Sequence, residues 1–378
     1  MKIRTITTGF NLGLPLSEKQ IKEVADFTNR VKDVFVKKGY DVQTVRLATQ
    51  PWEEYLASPH QIKELVKKLE EISLANGIDY FNIGTTFHAQ NIPLIYDLIK
   101  STSTGFCTVM VADKEKINYE AARKTAQLMK KLAFIEKDGF ANLRFAALFN
   151  TEPLSPFYPA AFHRGPVSFG IGTENSDLVN KAFSQAGNIQ KAGKSLKKTL
   201  EHAFLKVEKI AEAVSRKENI TYNGIDVSIA SSVKKNESTA YAFEKLGLGR
   251  FGDVGTLAVA KCLTDCLNKL EIKKCGYSGL MLPVLEDFGL AQRNKEKAFD
   301  LTHILLYSAV CGTGLDTIPL PGNVSSKKLY ALLLDIASLA LKLDKPLSAR
   351  LMPVPDKTIG DMTKFSFDYF ENTEIMNI

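Results

Sequence analysis

The chain has 378 residues, of which 45% are hydrophobic and 24% are charged, as expected of a globular protein with a large core. The net charge of +7 comes from lysines and arginines scattered along the chain, and the absence of a continuous basic stripe argues against nucleic acid as a partner. No stretch approaches the ~18 uninterrupted apolar residues of a membrane helix, so no membrane partner is expected.

The compartment is predicted from the first residues and from the cysteines. The sequence MKIRTITTGF has no apolar signal-peptide region and reads as a strand. The five cysteines are an odd number, which favours free thiols over a set of disulfides. A cytoplasmic location follows as a prediction.

Short apolar runs alternate with long amphipathic segments. Ser17 and Gln20 form a capping-box pattern that opens the first helix. Strands are predicted at 2–8, 42–47, 79–83, 105–111, 144–149, 167–171, 225–230, 278–284, 315–319 and 347–352. Helices are predicted near 60–75, 119–135, 195–216, 253–270 and 326–343. Because parallel strands need a crossover and a helix supplies it, this alternation favours parallel pairing.

The strand count leaves three architectures open: an eight-stranded barrel, a ten-stranded barrel and an open doubly wound sheet. No linker or internal repeat divides the chain, so a single α/β domain over 1–378 is predicted. The polar, glycine-containing segment 185–195 is predicted to be a loop or a mobile hairpin, and 356–378 a C-terminal tail.

Ligands in parallel α/β folds gather where strands end in loops, and residues 162–178 form the first such region. Gly170, Gly172 and Glu174 follow the start of a strand, where exposed backbone N–H groups would bind an anion. His163 and Arg164 would add acid–base capacity and positive charge. The simpler alternative is a tight turn with His163 on the surface.

Two further loops carry reactive side chains. In 311–323, Cys311 is a candidate nucleophile beside Gly314, and Asp316 could orient or deprotonate a partner; the alternative is a small buried cysteine. In 276–293, the adjacent Glu286 and Asp287 are candidates for acid–base work, with Asp287 also a candidate ligand of a divalent metal. The alternative there is a favourable first helical turn.

Ser228, in the segment 226–238, is a candidate for holding a phosphate or carboxylate, with a serine-rich turn as the alternative. Residues 247–252 spell G-L-G-R-F-G, which matches a dinucleotide-binding pattern. That pattern requires a preceding strand, whereas FEKLGLG resembles a helix that ends at glycine. No NAD or FAD cofactor is therefore expected.

Five segments occur in the order typical of the domain-of-unknown-function family 711, which the chain resembles from residue 1 to about 355. They are RFAALFNTEPLSPFYPAAFHRGPVSFGIG, GIDVSIASS, GLGRFGDVGTLA, YSGLMLPVLEDFGLA and AVCGTGLDTIPLPGN. The resemblance implies a ten-stranded α/β barrel like that of pyruvate formate-lyase-like enzymes, with helices outside. It implies no catalytic residues. The glycyl radical signature of those enzymes is missing near the carboxyl end, so radical chemistry is not expected.

The leading hypothesis is a non-radical small-molecule enzyme that acts on an anionic or carbonyl-containing metabolite in a pocket at strand carboxyl ends. The main alternative is a non-catalytic metabolite-binding or regulatory protein. A metal-dependent hydrolase built on Glu286, Asp287 and Asp316 is a third reading. A homo-oligomer is compatible with the sequence.

Overall fold

The computed structural model describes residues 1–56, 58, 61–310 and 312–378. Within them a nine-stranded mixed sheet packs against helices, so the chain has an α/β fold. The strands are β1 (Lys2–Phe10), β2 (Val42–Thr49), β3 (Tyr80–Thr86), β4 (Gly105–Ala112), β5 (Phe145–Phe149), β6 (Ser168–Glu174), β7 (Thr221–Asp226), β8 (Gly314–Pro321) and β9 (Leu347–Val354).

The α-helices of the described residues follow most of the strands. They are α1 (Glu18–Lys37), α2 (Ile62–Ala75), α3 (Ile95–Ser101), α4 (Tyr119–Leu132), α5 (Ser176–Ala186), α6 (Ile189–Glu218), α7 (Thr239–Glu244), α8 (Thr256–Asn268), α9 (Phe288–Lys295), α10 (Leu301–Val310) and α11 (Ser326–Lys342). Ser17 is the N-cap of α1, since its side chain accepts from the Gln20 backbone N–H. In this part of the chain no helix combines the length and the apolar character needed to cross a bilayer.

The sheet is only partly parallel. Its order is β7-β6-β1-β2-β3-β4-β5-β9-β8, in which β1 to β5 are parallel to one another. β6 lies antiparallel to β1, and β9 antiparallel to β5. The expected parallel pairing therefore fails only at these two joins, since β6 with β7 and β8 with β9 are parallel. No helix spans 150–167, and the chain enters β6 in the opposite direction to β1–β5.

Among the described residues no ladder joins the edge strands β7 and β8, so the sheet is not closed by hydrogen bonds. The predicted strand at 278–284 has no continuous pairing within the described residues. It makes single parallel bridges, from Leu280 to Ile229 on the β7 side and from Pro283 to Asp316 on β8. The predicted strand at 225–230 is also displaced, because the β7 ladder ends at Asp226.

The prediction of a loop or hairpin over 185–195 is wrong. Gly187, with φ of 69°, ends α5 in the left-handed conformation that glycine favours. Asn188 then caps α6, accepting from the Lys191 N–H, and residues 189–195 form the first turns of that helix. The polarity of this stretch therefore reflects an exposed helix start. Residues 356–378 contain no helix or strand, and the buried side chains of Phe365 and Ile375 pack with Leu285.

The two faces of the sheet bury different side chains. Val45 and Leu47 of β2 pack in the large core that the helices cover, whereas Ala48 packs with Tyr158 on the opposite face. We call this opposite side the inner face. It is covered by the segment 150–167, which is fixed by hydrogen bonds such as that from Asn82 Nδ2 to the Pro159 carbonyl at 2.6 Å. The inner face carries the polar residues considered next.

Candidate functional site

A cavity of about 170 Å³ lies on the inner face of the sheet. It is bordered by the amino-terminal halves of β1 to β4, by the chain after β7, and by β8 and β9. The sequence analysis places a pocket at strand carboxyl ends, but Arg4, Asp316 and Arg350 lie in the amino-terminal halves of β1, β8 and β9. The lining residues that carry charge are Arg4, Arg46, Arg144, Glu286, Asp316 and Arg350.

Two carboxylates are linked by arginines at the edge of this cavity. Arg350 donates through Nη2 to Glu286 Oε1 at 2.7 Å and through Nε to Asp316 Oδ1 at 2.6 Å. Arg4 Nη2 donates to the other Glu286 oxygen at 2.5 Å, and Arg4 Nη1 lies 3.6 Å from Glu174 Oε2. Both oxygens of Glu286 are thus used, whereas Asp316 Oδ2 has no protein hydrogen bond among the described residues.

The environments of these two carboxyl groups push their pKa values apart. Burial alone would raise the pKa of Glu286, but the charges of Arg350 and Arg4 outweigh it and hold the pKa below its usual value. Burial raises the pKa of Asp316, which the Arg350 charge only partly offsets and the nearby Glu286 charge reinforces. A pair of carboxyl groups separated in this way is typical of sites in which one group stays ionised and the other exchanges a proton.

Arg46 is the unpaired cation of the cavity. Its Nε donates to Thr44 Oγ1 at 2.9 Å, and among the described residues no carboxylate lies within ion-pair distance. Its guanidinium lies over the rings of Tyr158 and Tyr80, 4.9 and 5.6 Å from their centroids. Burial lowers the pKa of Arg46 to about 10, and the positive charge of Arg4 adds to the effect. A partly buried cation without a counterion is a ready site for an anion.

The structure brings together some of the residues predicted from sequence. Glu286 and Asp316 share Arg350, and Glu174, at the end of β6, joins the same network through Arg4. Asp287 is directed elsewhere: its carboxylate caps α9 and also accepts from the Ser238 hydroxyl. The proposed nucleophile Cys311 lies outside the described residues.

His163 and Arg164 do not line the cavity. The His163 ring is buried, its Nε2 lies 2.8 Å from the Gly165 carbonyl, and burial lowers the pKa of the imidazole. Arg164 is exposed and pairs with Glu54 at 2.6 Å. The alternative of a surface histidine is also wrong, because the loop folds the ring against Gly9 of β1.

The candidate ligand-binding glycines lie in strands. Gly170 and Gly172 belong to β6, where Gly172 leaves room for the ring of Phe157. Gly314 opens β8 with φ of 102° and lies against the backbone of β9. Ser228 is fully buried and donates to Asp226 at 2.5 Å. None of these four residues lines the cavity.

Neither a dinucleotide-binding turn nor a metal-binding cluster is found among the described residues. The G-L-G-R-F-G segment, 247–252, follows α7 rather than a strand, as expected from the residues before it. Within the described part of the chain, no group of three or more histidine, cysteine, aspartate or glutamate side chains is arranged to hold a metal ion.

Sequence reasoning missed the arginines. Arg46 and Arg350 each lie inside an otherwise apolar or neutral strand, V-Q-T-V-R-L-A-T and L-S-A-R-L-M-P-V, and Arg4 lies in K-I-R-T-I-T-T, whose one other charged residue is Lys2 at the strand start. A strand that is buried on both faces has little reason to carry a guanidinium unless that side chain meets a counterion or a ligand. The presence of three such strands in one chain was the sequence feature that could have indicated a buried charged site.

The comparisons with known proteins agree with the resemblance seen in the sequence. A family model described as "Uncharacterised ACR (DUF711)" matches residues 1–366. Similar proteins, all called UPF0210 protein, occur in Pyrobaculum arsenaticum (29% identity, 96% of this chain and 87% of the relative), Methanopyrus kandleri (26%, 96% and 88%) and Ruminiclostridium cellulolyticum (26%, 97% and 88%). These names state no activity.

Proposed function

We propose that this chain, which belongs to the DUF711 family of uncharacterised proteins, is a non-radical enzyme that acts on a small anionic or carbonyl-containing metabolite. The cavity on the inner face is the active site in this proposal. The observation that carries it is the guanidinium of Arg46, which faces the cavity without a carboxylate partner among the described residues.

The charge balance of the cavity supports an anionic ligand. Four arginines and two carboxylates line it. Arg144 is neutralised by Glu136 at 2.5 Å, and Arg4 and Arg350 are paired within the network described above. The positive charge that is left over belongs to Arg46. An incoming anion would satisfy it in a poorly hydrated site, where a charge-assisted hydrogen bond is strong.

Asp316 is the proton-transfer group in this proposal. Its Oδ1 is held by Arg350 while its Oδ2 makes no protein hydrogen bond in the described part of the chain, and its raised pKa allows it to take a proton from the ligand and return it. Glu286 stays ionised and positions Arg350 and Arg4. Proton transfer of this kind needs no further reactant, because the proton that leaves the ligand resides on Asp316.

A thermal-shift screen of small anionic and carbonyl-containing metabolites tests the proposal. A ligand present at 100 times its Kd stabilises the folded state by about 2.7 kcal/mol, which raises the melting temperature measurably. Compounds that stabilise the protein are then assayed for turnover with the wild type and with Asp316→Asn. The proposal fails if no anionic or carbonyl-containing compound in the screen stabilises the wild type.

The turnover assay separates the enzyme from the alternative, a non-catalytic metabolite-binding or regulatory protein. For an enzyme, Asp316→Asn keeps binding within a few-fold of wild type and loses about 10²–10⁴-fold in kcat. For the alternative, the ligand binds the wild type but is recovered unchanged after long incubation.

The finer architecture is also a proposal: a ten-stranded barrel resembling the pyruvate formate-lyase-like fold. It is supported by two single parallel bridges of the segment 278–284, from Leu280 to Ile229, three residues after β7, and from Pro283 to Asp316 in β8. That is the position a tenth strand would take. Hydrogen exchange slowed at the Met281 and Val284 amides, which donate to Ile229 and Asp316, would support it; exchange as fast as in an exposed loop would refute it.

The cytoplasm is the proposed compartment. The described cysteines Cys107, Cys262, Cys266 and Cys275 are free thiols, which is the usual state in a reducing compartment. Self-association stays a prediction, and light scattering of the purified protein decides it.

A further inference from the structure

We infer that the cavity accepts a planar aromatic monocarboxylate of about one ring, with its carboxylate on Arg46 and its ring among the aromatic side chains. This inference rests on the proposed function and names its ligand class. It draws on three observations: the composition of the wall, the orientation of the Arg46 guanidinium and the volume of the cavity.

The wall of the cavity is unusually aromatic. Seven of the 21 lining residues are phenylalanine or tyrosine, against 9% aromatic residues in the chain. They are Tyr80, Phe106, Phe140, Phe157, Tyr158, Phe367 and Tyr369. Several already form edge-to-face pairs, such as Phe106 with Tyr158 at 5.0 Å and Phe140 with Phe367 at 5.1 Å. A planar ring entering this space would continue the same packing, which gains more than burial of area alone.

The guanidinium of Arg46 is left with one open edge. Tyr158 and Tyr80 lie against it, and its Nε is used by Thr44. The two Nη groups make no hydrogen bond within the described residues. These parallel donors match the two oxygens of a carboxylate in the plane of the guanidinium. The free Nη donors of Arg46 therefore determine both the head group of the ligand, a carboxylate, and the side from which it binds.

The volume limits the size of the ligand. A cavity of roughly 150 Å³ holds one benzene molecule, so about 170 Å³ accommodates one ring with its carboxylate and excludes a nucleotide or coenzyme. A phosphate head group is disfavoured, since the described lining residues include no lysine and no glycine. Sites for phosphate dianions are commonly built from glycine-rich loops and lysines.

Benzoate is the probe that tests the inference, measured by calorimetric titration of the full chain. Three matched compounds share part of its structure: benzamide has the ring without the charge, cyclohexanecarboxylate has the charge without the planar ring, and inorganic phosphate is an anion of another class. We expect benzoate to bind at least about tenfold more tightly than benzamide and about threefold to tenfold more tightly than cyclohexanecarboxylate, with no binding of phosphate.

Two variants locate the binding. Arg46→Met keeps a long side chain without the charge and should weaken benzoate binding at least about tenfold, whereas the control Arg164→Met, at an exposed arginine away from the cavity, should change nothing. Tyr369→Leu removes a cavity ring that is 43% exposed, so this variant should fold normally. It should weaken benzoate while leaving cyclohexanecarboxylate unchanged.

The outcomes separate this inference from the proposed function. Tight binding of phosphate or of aliphatic anions, with none of benzoate, overturns the aromatic ligand class and leaves an anion-binding active site in place. Benzoate binding that is unaffected by Arg46→Met overturns the assigned position of the carboxylate. Failure of every anion to bind overturns both.

Discussion

Replacing Glu286 by glutamine tests whether the charged network holds the inner face together. The Glu286 carboxylate is 6% exposed and joins Arg4, at 2.5 Å, to Arg350, at 2.7 Å. Removing one partner of a buried ion pair costs about 3–5 kcal/mol, because the remaining charge stays buried. Arg350 keeps Asp316 and Arg4 keeps Glu174, so neither arginine is left alone. We therefore expect a loss near the lower end, about 3 kcal/mol.

Urea unfolding followed by the fluorescence of Trp52 measures this loss. Trp52 is the only tryptophan of the chain, its side chain is buried, and its indole N–H donates to Thr86. The control is Asp265→Asn, which breaks an equally short ion pair to Lys261 at 2.6 Å on the surface. Exposed pairs contribute about 0–1 kcal/mol. If Glu286→Gln shifts the midpoint no more than Asp265→Asn does, the network does not stabilise the fold and the reasoning is refuted.

The difference in stability between the wild type and Glu286→Gln should change with pH in a defined direction. Although burial opposes it, Arg350 and Arg4 hold the pKa of Glu286 below 4.5 in the folded state. A carboxyl group with a depressed folded pKa stabilises the fold above its unfolded pKa and loses that contribution as the pH falls through the folded value. The wild-type advantage over Glu286→Gln should therefore be full above about pH 4.5 and shrink below it. A difference that is constant down to acid pH would contradict this explanation.

Three further predictions concern other parts of the chain. Gly314→Ala should destabilise the protein by at least about 2 kcal/mol more than Gly360→Ala in urea unfolding. Both glycines have a positive φ, but only at Gly314 would the new Cβ meet the β9 backbone, 2.0 Å away. Equal losses of stability in the two variants would contradict this. Asp287→Ala should lower the free energy of unfolding by about 3 kcal/mol, against about 1 kcal/mol for Ser325→Ala. The buried Asp287 cap of α9 also accepts from the Ser238 hydroxyl and the Thr239 N–H at the start of α7, whereas the Ser325 cap is exposed. Burial raises the pKa of Cys107 to about 12. Mass spectrometry should therefore find this thiol unmodified by iodoacetamide at pH 8 until denaturant is added. Rapid labelling of the native protein would show that the surroundings of Cys107 open in the folded state.

The sequence by itself identified most of the local elements. Predicted strands at 2–8, 42–47, 105–111 and 347–352 are confirmed as β1, β2, β4 and β9, because buried strands appear as short apolar runs between turn signals. The helix at 195–216 is confirmed as the body of α6, because its apolar stripe repeats every three to four residues. These features are local, so neighbouring residues are sufficient to encode them.

Part of the candidate site could also be found from the sequence. Glu286 and Asp316 were identified as carboxylates near strand and helix boundaries, and both line the cavity. Glu174 was predicted in a loop and lies at the end of β6 instead, where it meets Arg4. The positions of acidic groups beside turns were legible from residue types. Their partners were not.

Only the tertiary structure decided which strands lie side by side and in which direction. The antiparallel pairing of β1 with β6 and of β5 with β9 joins residues more than 150 positions apart, and no local pattern encodes such a pairing. These pairings turn Arg4, Arg46 and Arg350 toward one cavity and leave His163 outside it. Each arginine alone is an ordinary basic residue in a strand. The site arises because the sheet places all three beside two carboxylates, where burial makes every charge depend on its neighbours.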